Sequence, residues 1–131
     1  MHEKGVVQCD MGCLNILLGK NDCIKFCDFG GSSIDGSIPR AEPDTDFQRP
    51  GRDDDTPDIQ DDLCHLGSII FEIWTGSPPS WSEPPMDRQR RFPDFVGVLP
   101  SAIITKCWQG NYHSATEIVT ALEALREETN A

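Results

Sequence analysis

Read as a succession of apolar and polar positions, the chain has a strand-rich beginning, a long unpatterned middle and a helical second half. Residues 1 to 5 resemble the frayed end of a helix, closed by Gly5, and Val6-Val7 suit a short strand. Residues 8 to 15 are loop-like. Ile16-Leu17-Leu18 and Cys23-Ile24-Lys25-Phe26 are apolar runs around Gly19-Lys20-Asn21-Asp22, which predicts a hairpin over 16–26 with a four-residue connection. From Gly30 to about Asp61 the chain is Gly/Ser-rich, then Pro- and Asp-rich, and no period is sustained. An irregular stretch of that length inside a compact domain is usually functional or disordered.

The strongest helix signal is DLCHLGSIIFEIWT, residues 62–75. Asp62 is placed to cap its start, Gly76 stands just past its end, and Pro78-Pro79 forbid continuation. Leu63, Leu66, Ile69, Ile70, Phe71, Ile73 and Trp74 leave almost no polar face, so this helix belongs at the centre of the fold. Residues 77 to 100 are irregular, and 101–108 read as helix. The last helix, to about residue 127, starts at Ser114, with Glu117 completing a capping box, and carries an apolar stripe of Ala115, Ile118, Val119, Leu122 and Leu125. There is no internal repeat. The expected fold is mainly α with one small β-hairpin.

Composition narrows the function. With 131 residues, 37% of them hydrophobic and 25% charged, the chain suits one globular domain. A net charge of −11 argues against nucleic acid and against anionic membrane surfaces, both of which need a cationic face. The N-terminal MHEKGVVQCD has no apolar leader region, and the best apolar run, SIIFEIW, is broken by Glu72 and too short to span a bilayer. A reducing cytoplasmic or nuclear setting is therefore expected, with the six cysteines as free thiols. A zinc site is disfavoured: Cys23 and Cys27 in an extended run would lie about 13 Å apart, and buried thiols behave as small hydrophobes. The acidic Asp53-Asp54-Asp55 lacks the spacing, central Gly and closing Glu of a calcium loop, and Asp87-Arg88-Gln89-Arg90-Arg91 reads as a solvated turn.

Chemistry concentrates near the start. Asp10 lies on the loop, Asn15 follows five residues later, and Asp28 comes directly after the hairpin, heading Asp28-Phe29-Gly30. Phosphoryl transfer needs a carboxylate to orient the acceptor hydroxyl and hard oxygen ligands for magnesium, held at fixed distances. A hairpin between Asn15 and Asp28 supplies such a spacer, and Gly30-Gly31 lets the backbone turn sharply.

This order of motifs resembles the C-terminal lobe of eukaryotic protein kinases, whose signature runs His-Arg-Asp-x-x-x-x-Asn, strand, turn, strand, Asp-Phe-Gly. Asp62-Leu63-Cys64-His65-Leu66-Gly67 resembles the start of that family's central helix, and Cys107-Trp108 a pair near its penultimate helix. The set is most similar to a divergent group of fungal kinase-like proteins. The resemblance implies a partial kinase domain over 1–131: catalytic loop 8–15, hairpin 16–26, Asp-Phe-Gly 28–30, activation segment 31–56, central helix 62–75 and C-terminal helices 101–127. It implies Asp10 as catalytic base, Asn15 and Asp28 as ligands for Mg2+ and so for ATP, and Asp62 as a brace accepting backbone N–H groups of the catalytic loop. A protein serine/threonine substrate or a protein partner follows from the same resemblance.

Several departures qualify it. Gln8 and Cys9 stand in the places of His and Arg, and a thiol cannot pair with a phosphate on the activation segment. Gly12 stands where a Lys would help hold the transferring phosphate. The Ala-Pro-Glu that ends the segment is replaced around Pro50-Gly51, and Gln109 to His113 supply no Arg for its missing Glu. A glycine-rich loop, a strand Lys and a helix Glu, the parts of an N-terminal lobe, are missing from these residues, to be supplied upstream or by another chain. Loss of the Lys alone is expected to cost about 3–4 kcal/mol, by analogy with a removed oxyanion donor. The isolated chain is thus expected to be catalytically incompetent. The alternatives are a truncated pseudokinase serving as a non-catalytic binding module, or a fragment with no independent existence.

Overall fold

The computed structural model describes residues 1–43, 47–52, 55–81, 92, 97 and 99–131. In chain order the described residues form β1 (Val6–Val7), β2 (Ile16–Leu18), β3 (Ile24–Phe26), β4 (Ser33–Ile34), α1 (Ile59–Thr75), α2 (Ser101–Trp108) and α3 (Ala115–Asn130). The architecture is mostly helical with a small hairpin. Among the described residues no helix is long and apolar enough to cross a membrane.

The hairpin follows the pattern of its apolar runs. β2 pairs antiparallel with β3 in the register Ile16–Phe26, Leu17–Lys25, Leu18–Ile24. Its connection is a single 3-10 turn, Lys20–Asp22, in which Asn21 and Asp22 adopt positive φ of 58° and 57°. Short polar side chains tolerate that left-handed conformation best after glycine. The N-terminal turn, His2–Lys4, is closed by Gly5 at φ 71°, whose N–H donates to His2 O. A second ladder escapes the sequence pattern: β1 pairs with β4, which lies in the irregular middle. Two residues per strand are too few to show alternation.

Helix α1 begins three residues before the expected start. Asp58, not Asp62, is the cap: it accepts from Gln60 N, while Asp61 reaches back to Asp58 N in a capping box. Asp62 lies inside the first turn and is fully buried, which frees it for tertiary bonding. The helix ends at Gly76 in the left-handed conformation, φ 80°. Its first three turns are enclosed, but Ile73 and Trp74 are exposed, so the apolar character runs beyond the buried length.

Helix α2 packs directly across α1. The approach is close at Gly67, where an added Cβ would lie 2.6 Å from Cys107 Cβ. Trp108 crosses to donate its indole N–H to Ser68 Oγ at 2.9 Å. Leu63, Ile103, Cys107, Tyr112 and Ile118 form one apolar cluster with α3, and Cys64, Phe71, Ile104 and Trp108 form another. Burying each large aliphatic side chain contributes roughly 1.5–3 kcal/mol. A third cluster, Met11, Phe47 and Ile69, joins the loop after Asp10 to the irregular segment and to α1. Along α3, Ala115, Ile118, Leu122 and Leu125 face the core as patterned. Val119 is exposed, and Ala121 takes its place in the packing.

Asp53, Asp54 and the cluster 87–91 lie outside the described residues. All six cysteines are free thiols.

Candidate active site

The site is assembled around two buried polar side chains, Gln8 and Asp62. Asp62 accepts the backbone N–H of Gln8 at 2.8 Å through Oδ2 and that of Cys9 at 3.0 Å through Oδ1. His2 Nε2 lies 2.8 Å from the same Oδ2. A carboxylate taking several N–H donors in a dry setting is strongly held, and it fixes the backbone that donates. Helix α1 thus sets the loop carrying Asp10 across 54 residues of sequence. The brace read from Asp62 is present in this form.

Gln8 distributes that order. Its Oε1 accepts from Asp10 N at 2.6 Å, and its Nε2 donates to Cys27 O at 3.1 Å and Asp28 O at 3.0 Å. Its backbone carbonyl accepts from Ser32 Oγ at 3.2 Å. One amide therefore fastens the backbone of Asp10 to that of Asp28. The sequence registered Gln8 only as a departure from His. A side chain with one acceptor and two donors can satisfy both loops at once, and that capacity was the available signal.

Two residues here are held in the left-handed region. Cys9 has φ 69° and Asp28 φ 60°, and a turn follows at Gly30-Gly31, closed by Ser32 N donating to Phe29 O at 3.1 Å. Each positive φ costs about 1 kcal/mol for a residue with a Cβ. Cys9 is held by Asp62, and its thiol donates to Val7 O at 3.3 Å. Burial raises the Cys9 thiol above its usual range. Gly31 also serves close packing: a Cβ there would run into Ala41.

Asn15 Nδ2 donates to Asp10 O at 2.7 Å, and Asn15 O accepts from Cys27 N at 2.9 Å. With its amide nitrogen turned to the loop, Asn15 presents Oδ1 the other way. Asp10 and Asn15 line a cleft of about 360 Å3 together with Cys13, Leu14, Phe47 and Glu72. Asp28 is exposed and is not part of that lining. The structure therefore joins the three expected residues through backbone and Gln8, while only two share the cleft. Phe47 and Glu72 were not expected there. Burial, then the adjacent Glu72 carboxylate, pushes the Cys13 thiol up to about 12, so it is inert as a nucleophile.

Among the described residues no three His, Cys, Asp or Glu side chains are grouped so as to hold a metal ion. Magnesium takes one or two carboxylates and completes its shell with phosphate oxygens and water. Asp28 and Asn15 offer such hard oxygens.

No family model matches the chain. Individual relatives do. The chain is 36% identical to the serine/threonine-protein kinase RUNKEL of Arabidopsis thaliana over 60% of its length, covering 6% of that protein. It is 30% identical to the serine/threonine-protein kinase PknB of Mycolicibacterium smegmatis over 96% of its length, covering 24%. It is 31% identical to the serine/threonine-protein kinase kin-29 of Caenorhabditis briggsae over 82% of its length, covering 14%. The chain thus spans a quarter or less of each of these relatives, and identity near 30% over most of its length supports the protein kinase family.

Proposed function

We propose, for a chain related to the serine/threonine protein kinases, that residues 1–131 are the C-terminal lobe of a kinase-type domain. The catalytic loop is 8–15, Asp-Phe-Gly is 28–30, the activation segment is 31–56, and helices α1 to α3 are the supporting helices. Completed by an N-terminal lobe, the site transfers the γ-phosphate of ATP to a protein serine or threonine hydroxyl. A kinship with divergent fungal kinase-like proteins belongs to the same proposal.

The observation that carries this reading is the Gln8–Asp62 knot, which fixes the backbone of Asp10 and of Asp28 to one helix. Asp10 orients the acceptor hydroxyl and receives its proton. Asn15 Oδ1 and the Asp28 carboxylate would hold magnesium, which would offset charge on the phosphate oxygens. Cys9 offers no charge to a phosphorylated segment, so activation does not run through loop phosphorylation. These 131 residues include no glycine-rich loop and no strand Lys, and alone they transfer no phosphate.

A second reading, a non-catalytic binding module, is favoured by the exposed apolar side chains Leu14, Leu17, Leu18 and Ile24 on and beside the hairpin. The deciding experiment incubates the 131-residue chain, and the longest native product of its gene, with γ-labelled Mg-ATP and a mixed Ser/Thr peptide pool. Transfer by the longer product that is lost in Asp10→Asn and in Asp28→Ala supports the enzyme. Transfer indifferent to Asp28→Ala sinks the assignment of that residue. A folded, longer product with no transfer leaves the binding module standing.

A further inference from the structure

We propose that Arg49 is a positioning residue, clamped to Asp61 so that Phe47 stays in place as a wall of the Asp10 cleft without any phosphate on the chain. Arg49 Nε donates to Asp61 Oδ1 at 2.6 Å, with side-chain exposures of 27% and 9%. Asp61 is itself fixed, since its other oxygen accepts from Asp58 N at 3.0 Å in the capping box of α1. An Arg–carboxylate contact this short and half-enclosed is among the stronger ion pairs, and breaking one side leaves a desolvated charge behind.

The clamp acts over a short lever. Pro50 follows Arg49 and biases it toward extended backbone, so the guanidinium's anchorage fixes the direction of the chain on either side. Two residues upstream, Phe47 is buried against Met11 and Ile69. Met11 is the neighbour of Asp10, and Phe47 lines the same cleft as Asp10. The stretch 47–50 is thus held at both ends, by an apolar side chain and by a charge. The sequence lacks both halves of the ion pair expected to end this segment, at Gly51 and in 109–113. Arg49 and Asp61 supply a different pair, one that ties the segment to α1 and not to residues 109–113.

The clamp's relevance to catalysis rests on the reading of Asp10 above, but the clamp can be tested with no activity assay. Methyl NMR of the unmodified chain, its mass verified, reads the Met11 methyl and Ile69 δ-methyl, which the Phe47 ring shifts. Phe47→Leu supplies the position of complete loss. In Arg49→Met these two methyls should move most of the way to that position, while Ile103 and Ile104 in the α1–α2 core stay put. Arg49→Lys should restore them in part, since an ammonium keeps the charge but not the guanidinium geometry. Raising salt from about 0.05 to about 0.5 M should move the wild-type methyls in the same direction. If Arg49→Met does not fold, Arg49→Lys and the salt series carry the test. Met11 and Ile69 shifts unchanged in Arg49→Met, or unchanged with salt and in Arg49→Lys, overturn the clamp. So does movement of all four methyls together, which marks a general loss of stability.

Discussion

The knot that ties Gln8 to Asp62 and the hairpin that follows Gln8 are neighbours in sequence and opposites in physics. In the knot, Gln8 and Asp62 are fully buried polar groups, each meeting several partners. On and beside the hairpin, Leu14 is 93% exposed and Leu18 70%, apolar groups facing outward. One region hides polarity and satisfies it. The other displays hydrophobicity. Buried polar networks specify a single arrangement because every alternative leaves an unpaired group, whereas exposed apolar groups specify none and gain free energy only when something covers them. Precision of the site therefore resides in the knot, and capacity for association in the hairpin.

Asp62→Ala should break the contrast most severely. It strands the buried N–H groups of Gln8 and Cys9, and about 4 kcal/mol of stability should be lost in urea melts. An unchanged melt would mean that the knot is not what holds the loop.

Acid attacks the same region next. Burial lowers His65 from 6.5 to about 4, only partly opposed by the nearby Asp62 and Asp61. The folded state keeps this imidazole neutral while the unfolded chain takes up a proton. Stability is therefore complete above 6.5, declines as pH falls toward 4, and is lower by roughly 3 kcal/mol once both states are protonated. His65→Leu should flatten that acid limb. Among the described residues neither ring nitrogen of His65 has a hydrogen-bond partner, so the substitution removes an unmet demand as well.

Gln8→Ala should cost about 2 kcal/mol, since Asp10 N and the carbonyls of Cys27 and Asp28 lose one shared partner. Gln8→Glu should be worse, because a carboxylate cannot donate to those carbonyls. A Gln8→Glu variant that melts like the wild type would show that the amide's donors contribute nothing.

The smallest effect on stability lies on the hairpin. Leu18→Ser should shift a melt by less than about 0.5 kcal/mol while reducing self-association seen by light scattering. A large loss of stability there would erase the distinction between the two regions.

The sequence carried the helices and the hairpin because each rests on a local pattern. Apolar runs at Ile16-Leu17-Leu18 and Cys23-Ile24-Lys25-Phe26 flank a polar turn, and Ser114 with Glu117 marks a helix start. In the structure Ser114 Oγ accepts from Glu117 N at 3.3 Å, but Glu117 reaches His113 N, one residue earlier than a strict box. What periodicity could not convey was tertiary. Pairing of Val6-Val7 with Ser33-Ile34 depends on a ladder of two residues. The start of α1 was placed at Asp62 because that Asp precedes a dense apolar run, yet Asp58 is the cap and Asp62 is committed to the loop. Asp10, Asn15 and Asp28 stood out by residue type and spacing. Gln8, Phe47, Arg49 and Glu72 gain their places only through contacts made across the fold.

The 54-residue span between Gln8 and Asp62 also sets a clock. A ribosome adds roughly 5–20 residues per second, so the amides of Gln8 and Cys9 wait roughly 3 to 11 s between their own synthesis and that of the carboxylate they need. For that interval the hairpin can close, being local, while the loop before it stays unset. Slowing translation between codons 9 and 62 would lengthen the exposure of Leu17 and Leu18 on a chain whose Asp10 loop has no anchor yet, and chaperone demand should rise with it.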